Sequence, residues 1–417
     1  KRRTFQVGII MLQGKKILLG VTGSIAAYKA CDLVQRLKEG GATVRVVMTH
    51  DAARFVHPNA FAALTGSPVL TDAWEGVADG KIPHIEAARW ADLFIIAPCT
   101  AHTLAELSMG LTGSPVTMTA LAYGGPLAVA PAMNTVMLES APVREHLARL
   151  SERGVHVLPT LGGTLACGEV GEGKLTTPEE IAAYAELVLA FEGSLPDLRG
   201  KRILVSGGHT EEPLDGVRFL SNRSSGKTAL AVARAARLCG ADVRVVLGRA
   251  EEPEPNGMTL AHVRTSQEFR EVLTAAQPTV DALVMAAAIA DFVPAEGKDV
   301  GKWKDSRTLK TLELSPFPSI LEELGRAKPK GQTLVGFSLE TDGALARGAE
   351  KMKARGCDLM VVNTPLAAPG EGFGEDTVQA AILPSTDSLR PMRKSALAAL
   401  LVRRIAEHQR TLSGTKA

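Results

Sequence analysis

Two stretches of this chain follow one plan. "GKKILLGVTGS" reads as a strand ending in a Gly-rich turn, "IAAYKACDLVQRLKEGG" as an amphipathic helix closing on glycine, and "ATVRVVMT" as a second strand. Further on, "GKRILVSGG", "SSGKTALAVARAARLCG" and "ADVRVVLG" repeat that order. The strands are short and rich in β-branched residues, and each helix stops at a glycine. Such β-α-β units imply parallel strands, because a parallel pair needs a long crossover, and helices that cover both faces of the sheet. With 417 residues, the chain is also too long for one ordinary core.

More strand candidates fall in each half: "ADLFIIAP" and "PLAVAPAM", then "DALVMAAA", "TLVGFS" and "DLMVVN". The expectation is an α/β protein with two doubly wound (Rossmann or flavodoxin-like) three-layer parallel-sheet domains. "FEGSLPDLRG" carries the Gly, Ser and Pro of a connector. The domains are therefore drawn at 11–190 and 201–417, with 191–200 as linker. Residues 1–10, basic then apolar, are read as an extension ahead of Met11, because Gln6 and Gly8 interrupt the apolar part.

Composition removes several function classes. A net charge of +2 argues against nucleic acid or an acidic membrane as partner. Aromatics at 4% make a poor stacking platform for single strands. No apolar run approaches the roughly 20 residues that span a bilayer. Five cysteines without a Cys-x-x-Cys pair fit neither a disulfide framework nor structural zinc, which points to a reducing cytoplasm.

In open α/β sheets, ligands bind at the carboxyl ends of strands. In the first half, Gly23 and Ser24 lie at such an end just before a helix, where amides and a hydroxyl can hold a phosphate; Ser24 as a simple helix cap is equally open. Thr49, and Thr100 with Thr103, mark two further edges. Three hydroxyl-bearing edges in one sheet favour a mononucleotide phosphate such as that of FMN. Three more residues are candidates for chemistry. His84 precedes a strand, with a satisfied or surface histidine as its bland reading. Asn134 follows a strand, where an amide can bind a carboxylate. Cys167 sits in "ACGEVGEGKL", whose glycine density suits a flap over a ligand, whereas Cys31 and Cys239 lie on helices and read as packing.

The second half differs by an insert, "HTEEPLDGVRFLSNRS", between its first strand and helix. A simple connection needs about 2–6 residues, so the insert is functional, a surface loop, or an interface cover. It leads into "SNRSSGKT", one residue from a phosphate-binding P-loop, since Ser221 stands where the pattern needs glycine. From the residues alone, this segment is a damaged P-loop, another phosphate site, or an ordinary helix start.

"GSIAAYK", "HIE", "PAMN" and "ACGEVGEGK", in that order, resemble the flavin-dependent decarboxylases of 4′-phospho-N-pantothenoylcysteine in coenzyme A synthesis. "EEPLDGVRFLSNRSSGK", "AAAIADF" and "VGFSLET" resemble the phosphopantothenate–cysteine ligases. From about Met11 to about Arg404 the chain looks like the bacterial bifunctional enzymes that fuse the two.

The resemblance implies FMN, which oxidises the cysteinyl moiety to a thioaldehyde so that CO₂ can leave. Asn134 grips the substrate carboxylate, His84 orients the substrate or assists proton removal, and Cys167 returns a proton. It implies a ligase that uses CTP and Mg²⁺ to form an acyl-cytidylate from 4′-phosphopantothenate, which L-cysteine then captures. Asn222 acts around that intermediate, and Ser224, Ser225 and Gly226 lead into the helix. Met285, Ala286, Ala287 and Asp291 contact the nucleotide, and Lys302 and Lys304 the triphosphate. Phe337 lies by the base, Lys351 and Arg355 stand at basic positions, and Pro318, Ser319, Ile320 and Leu321 occupy a segment that normally reads Asn-Pro-Asp-Ile. "GLTGSP" lacks the usual Asp-Asn, and "SGGHTEEPLD" the usual Ala-Gly-Pro-Thr start. Metal ligands are not marked. The resemblance further implies a cytoplasmic homo-oligomer, with decarboxylase trimers and ligase dimers, up to a dodecamer.

Overall fold

The computed structural model describes residues 12–74, 80, 82–192, 195–255, 257–295, 312–364, 376–384 and 388–414. The chain divides into two compact units, Lys1–Leu195 and Pro196–Ala417. Among the described residues no helix is long and apolar enough to cross a membrane.

The first unit is built on β1 (Lys16–Val21), β2 (Thr43–Met48), β3 (Leu93–Cys99), β4 (Leu127–Pro131) and β5 (His156–Val157). They form one parallel sheet in the order β2-β1-β3-β4-β5. Every residue of β3 is buried, the pattern of a strand covered on both faces. The crossovers are helical: α1 (Lys29–Glu39), α2 (Pro58–Thr65), α3 (Pro83–Trp90), α4 (Ala101–Met109), α5 (Pro115–Ala122), α6 (Thr135–Glu139) and α7 (Ala141–Glu152). Leu18, Phe94, Ile96, Leu104, Val116 and Val129 pack as one core cluster between sheet and helices. An antiparallel hairpin of β6 (Leu161–Thr164) and β7 (Val170–Lys174) follows, and then α8 (Pro178–Ala190). Arg36 of α1 ties α8 down through Glu179, 2.7 Å away.

The second unit begins with β8 (Arg202–Gly207), the hairpin β9 (Glu211–Pro213) and β10 (Phe219–Ser221), α9 (Lys227–Leu238), β11 (Asp242–Leu247), β12 (Thr259–His262), α10 (Ser266–Ala276) and β13 (Ala282–Met285). A second small hairpin, β14 (Phe292–Pro294) with β15 (Leu314–Pro316), precedes α11 (Ile320–Arg326), β16 (Thr333–Leu339), α12 (Ala344–Ala354) and β17 (Leu359–Thr364). β18 (Thr377–Leu383), β19 (Arg390–Arg393) and the 19-residue α13 (Lys394–Leu412) complete it.

The sheet order is β12-β11-β8-β13-β16-β17-β18-β19. Its first six strands are parallel, and β18 and β19 extend it antiparallel. That extension is absent from the sequence expectation, which ends at "DLMVVN". The expected long insert after β8 is the β9–β10 hairpin. Helix α9 lies so close to β8 that a Cβ on Gly207 would come within 2.5 Å of Ala229 Cβ.

Candidate functional site

In the first unit the strand order reverses between β1 and β3, the place where a sheet of this order opens a crevice for a mononucleotide. Gly23 and Ser24 leave β1 there, and Thr100 leaves β3. Thr22, unmarked in the sequence reading, joins the two edges: its buried hydroxyl donates to Pro98 O (2.7 Å) and accepts from Thr100 N (3.1 Å). Ser24 Oγ accepts from Ala26 N at 3.2 Å, and Thr49 Oγ1 from Ala52 N at 3.2 Å. Ser24 therefore caps the short helix that follows it, and Thr49 braces the turn at Ala52; a hydroxyl that only accepts keeps its O–H for a ligand. Thr100 caps α4 by accepting from Thr103 N (3.3 Å), and the two hydroxyls lie 3.1 Å apart. These residues fit a phosphate of a mononucleotide, since donors sit at two strand ends beside helix starts.

Asn134 caps α6. Its Oδ1 accepts from Val136 N at 2.8 Å, which turns Nδ2 outward. There Nδ2 donates to Glu169 Oε2 and lies 3.7 Å from Cys167 Sγ. Cys167 Sγ is also 3.7 Å from Glu169 Oε2. The hairpin that carries both residues is docked on Met133–Asn134–Thr135. Met133 N donates to Gly173 O (2.9 Å), and Thr135 Oγ1 to Glu172 O (2.6 Å). A Cβ on Gly173, with φ +121°, would meet Met133 O at 2.3 Å, so the approach requires glycine. Glu169 was missed by sequence reasoning; its place inside "ACGEVGEGK" was the available signal.

Cys167 is exposed, unlike the other four cysteines. Burial pushes the Cys357 thiol up to about 11, that of Cys31 upward, and those of Cys99 and Cys239 far upward, keeping them protonated and inert. His84 lies in the first turn of α3, and its buried Nδ1 has no hydrogen-bond partner among the described residues. No hydrogen bond among the described residues links it to the Asn134–Cys167–Glu169 cluster.

In the second unit a pocket of about 540 Å³ opens at the carboxyl edge of the sheet. Residues 285–287 and 318–321 line it, with Asn222, Asp291, Phe337, Lys351 and Arg355. Ser224, Ser225 and Gly226 line it too, at the start of α9. Lys302 and Lys304 lie outside the described residues. Asn222 Nδ2 donates to Ile289 O (3.1 Å) and reaches Ala288 O (3.4 Å), which anchors the insert hairpin to the loop after β13. Ser221 Oγ donates to Thr210 O (2.6 Å), and Thr210 Oγ1 accepts from Ala290 N (3.1 Å).

Two further groups were not marked by the sequence. Glu340, buried at the end of β16, accepts from Ser338 Oγ and from Lys351 Nζ, both at 2.5 Å. Asn363, Thr364 and Thr377 line the pocket from the far side. Lys227 pairs with Asp376 (3.0 Å) and Glu252 (3.5 Å). The P-loop reading loses its support here: the segment 221–228 leaves β10 of a two-stranded hairpin rather than a central strand, and its lysine is held by two carboxylates.

The chain matches the family described as DNA/pantothenate metabolism flavoprotein C-terminal domain over residues 198–409, and the Flavoprotein family over 10–188. It is 40% identical over 368 residues to the coenzyme A biosynthesis bifunctional protein CoaBC of Bacillus subtilis, covering 88% of this chain and 90% of that protein. With the CoaBC protein of Mycobacterium bovis it shares 40% identity over 369 residues, covering 86% and 87%. A crystal structure of the C-terminal domain of a CoaBC protein is 28% identical, with a TM-score of 0.42, and covers 50% of this chain and 96% of that one.

Proposed function

Because the chain belongs to the family of bifunctional coenzyme A biosynthesis proteins, we infer that its second unit joins 4′-phosphopantothenate to L-cysteine at the expense of CTP, and that its first unit decarboxylates the product. The order follows from the chemistry. Ligation supplies the cysteinyl carboxylate that the first unit removes, leaving 4′-phosphopantetheine and CO₂.

In the second unit the carboxylate of phosphopantothenate attacks the α-phosphorus of CTP and pyrophosphate leaves. The cysteine amine then attacks the acyl carbon and CMP leaves. Asp291 and Phe337 hold the nucleoside, and Lys351 and Arg355 contribute cationic charge. The first amides of α9 face developing phosphate charge. Lys302 belongs to the same group of cations by sequence. Mg²⁺ accompanies the triphosphate, since phosphate oxygens are its usual ligands. Asn222, fixed to the Ala288–Ile289 backbone, presents its amide at the pocket mouth for the acyl-cytidylate.

In the first unit FMN, held at the β1/β3 edge, would supply a two-electron acceptor for the cysteinyl moiety. Ser24, Thr49, Thr100 and Thr103, beside Gly23, hold its phosphate. Asn134 orients the substrate through its carboxylate, His84 faces the substrate from α3, and Cys167 carries the proton returned to the enethiolate. The observation that carries this reading is the juxtaposition of the Asn134 amide and the Cys167 thiol, 3.7 Å apart on segments 33 residues apart in sequence: a carboxylate grip beside a proton donor. The enzyme works as a cytoplasmic homo-oligomer.

The test is reconstitution. Full-length chain with FMN, Mg²⁺, CTP, 4′-phosphopantothenate and L-cysteine should release CMP, pyrophosphate and CO₂ in equal amounts. Formation of neither CMP nor CO₂ would sink the reading.

A further inference from the structure

The Asn134 amide is already in use. Its Nδ2 donates to the carboxylate of Glu169, two residues beyond Cys167, and the oxygen that accepts is the one 3.7 Å from the Cys167 sulfur. One carboxylate oxygen of the chain itself thus sits between the group assigned to grip a carboxylate and the group assigned to deliver a proton. Among the described residues, the only other side-chain contact of Glu169 is the Cys167 thiol. Glu169 is exposed, and no lysine or arginine among the described residues pairs with it. Its backbone is held independently, because Leu165 N donates to Glu169 O at 2.7 Å. The side chain can therefore leave without unmaking the hairpin. The Asn134 end is fixed, since Oδ1 is committed to capping α6.

We propose that Glu169 is an internal competitor for the carboxylate subsite: in the ligand-free protein it occupies Asn134, and the substrate carboxylate must displace it. The exchange replaces one charge-assisted hydrogen bond by another of the same kind, so its cost is confined to freeing Asn134. A site filled by its own side chain for most of the time binds ligand with an affinity reduced by the fraction that is vacant. Once CO₂ has left, nothing on the product holds Asn134, and Glu169 returns. Glu169 thereby weakens the carboxylate-bearing substrate specifically and leaves the decarboxylated product untouched.

This inference rests on the assignment of Asn134 as the carboxylate grip, and the experiment separates the two. Two ligands with a hydroxyl in place of the thiol cannot be oxidised: 4′-phosphopantothenoyl-serine, which keeps the carboxylate, and 4′-phosphopantothenoyl-ethanolamine, which lacks it. Their affinities for the FMN-loaded full-length chain are measured by calorimetry, for the parent, Glu169→Ala and Glu169→Gln. The serine ligand should bind Glu169→Ala about five- to tenfold more tightly than the parent, with a smaller gain for Glu169→Gln. The ethanolamine ligand should bind all three alike, which also shows that the variants are folded. An unchanged or weaker serine ligand in Glu169→Ala, with ethanolamine binding intact, overturns the competitor role and leaves the Asn134 assignment standing. A parent chain that binds neither ligand overturns the reading of the first unit as the decarboxylase, and the Asn134 assignment and the competitor role with it.

Discussion

The Lys227 ammonium lies 3.0 Å from Asp376 and 3.5 Å from Glu252. Burial alone favours the neutral amine, but the hydrogen bond and charge of Asp376, with Glu252, outweigh it and hold the Lys227 pKa above its ordinary 10.5. A raised pKa means that the pairing stabilises the folded chain fully below 10.5, and that this is lost only as the pH rises through the higher folded value. At neutral pH, Lys227 is a cation satisfied by the protein.

From this follows a contrast between two variants at the start of α9. Lys227→Ala should weaken CTP binding by about threefold or less, because the side chain it removes is mainly engaged with Asp376 and Glu252. Asn222→Asp should still bind CTP yet fail to couple the activated acyl group to cysteine. Calorimetric CTP binding and CMP release in the presence of cysteine measure the two effects. A Lys227→Ala chain that loses all nucleotide binding beside a fully active Asn222→Asp chain would restore the P-loop reading.

Glu340 gives a pH-dependent prediction. Its burial opposes ionisation, but hydrogen bonds from Lys351 and Ser338 prevail and hold its carboxyl below the ordinary 4.5. The folded value is the depressed one, so the stabilisation is present above about 4.5 and disappears as the pH falls through the lower folded value. Glu340→Gln should cost the second unit about 1 kcal/mol at pH 7, a discounted figure because the Lys351 side chain is 41% exposed. The deficit should close in acid. Denaturant unfolding at pH 7 and in acid tests this, and a deficit independent of pH would show that the pairing with Lys351 is not its source.

The strands were legible where apolar runs are long and covered on both faces, as in β1, β3 and β13, and the glycines punctuating the two β-α-β units marked the crossovers. The three-residue hairpins β9–β10 and β14–β15 are too short to show a period. The antiparallel β18 and β19 follow the point where the β-α-β rhythm ends. In the sites, Asn134 stood out at a strand end, Cys167 in a glycine-rich loop, and Asn222 and Asp291 in segments that resemble the ligases. Glu169, Glu340 and Thr22 act through partners brought close by the fold: Glu169 meets Asn134 across 35 residues, and Thr22 meets Pro98 across 76. Such pairings leave no local trace in composition or periodicity.

Gly207 couples fold to pocket. An added Cβ would come within 2.5 Å of Ala229 Cβ, so Gly207→Ala must push α9 away from β8. Overpacking of this kind costs about 1–3 kcal/mol. The start of α9 lines the pocket to which we assign CTP, so CTP affinity should fall together with thermal stability. Gly124→Ala is the control, since an added Cβ there meets nothing within 4 Å. Equal melting temperatures for Gly207→Ala and the parent would mean that strand and helix are less tightly apposed than described.

The two activities should separate by mutation, because their candidate residues lie in different units. Cys167→Ser should leave CMP release unchanged, since every described residue that lines the pocket assigned to CTP lies in the second unit. Its hydroxyl is a far poorer acid than a thiol, so decarboxylation should proceed past CO₂ loss and stall before proton return. Oxidised, decarboxylated product should accumulate, visible by mass spectrometry as a species two hydrogens lighter than 4′-phosphopantetheine. His84→Asn acts earlier. Among the described residues the buried His84 Nδ1 has no partner, so that nitrogen is uncommitted within the protein. Loss of the imidazole should block the reaction before CO₂ is released, again with ligation intact. A Cys167→Ser chain that makes 4′-phosphopantetheine at the parent's rate would remove the thiol from the proton-return step and assign that step to another acid.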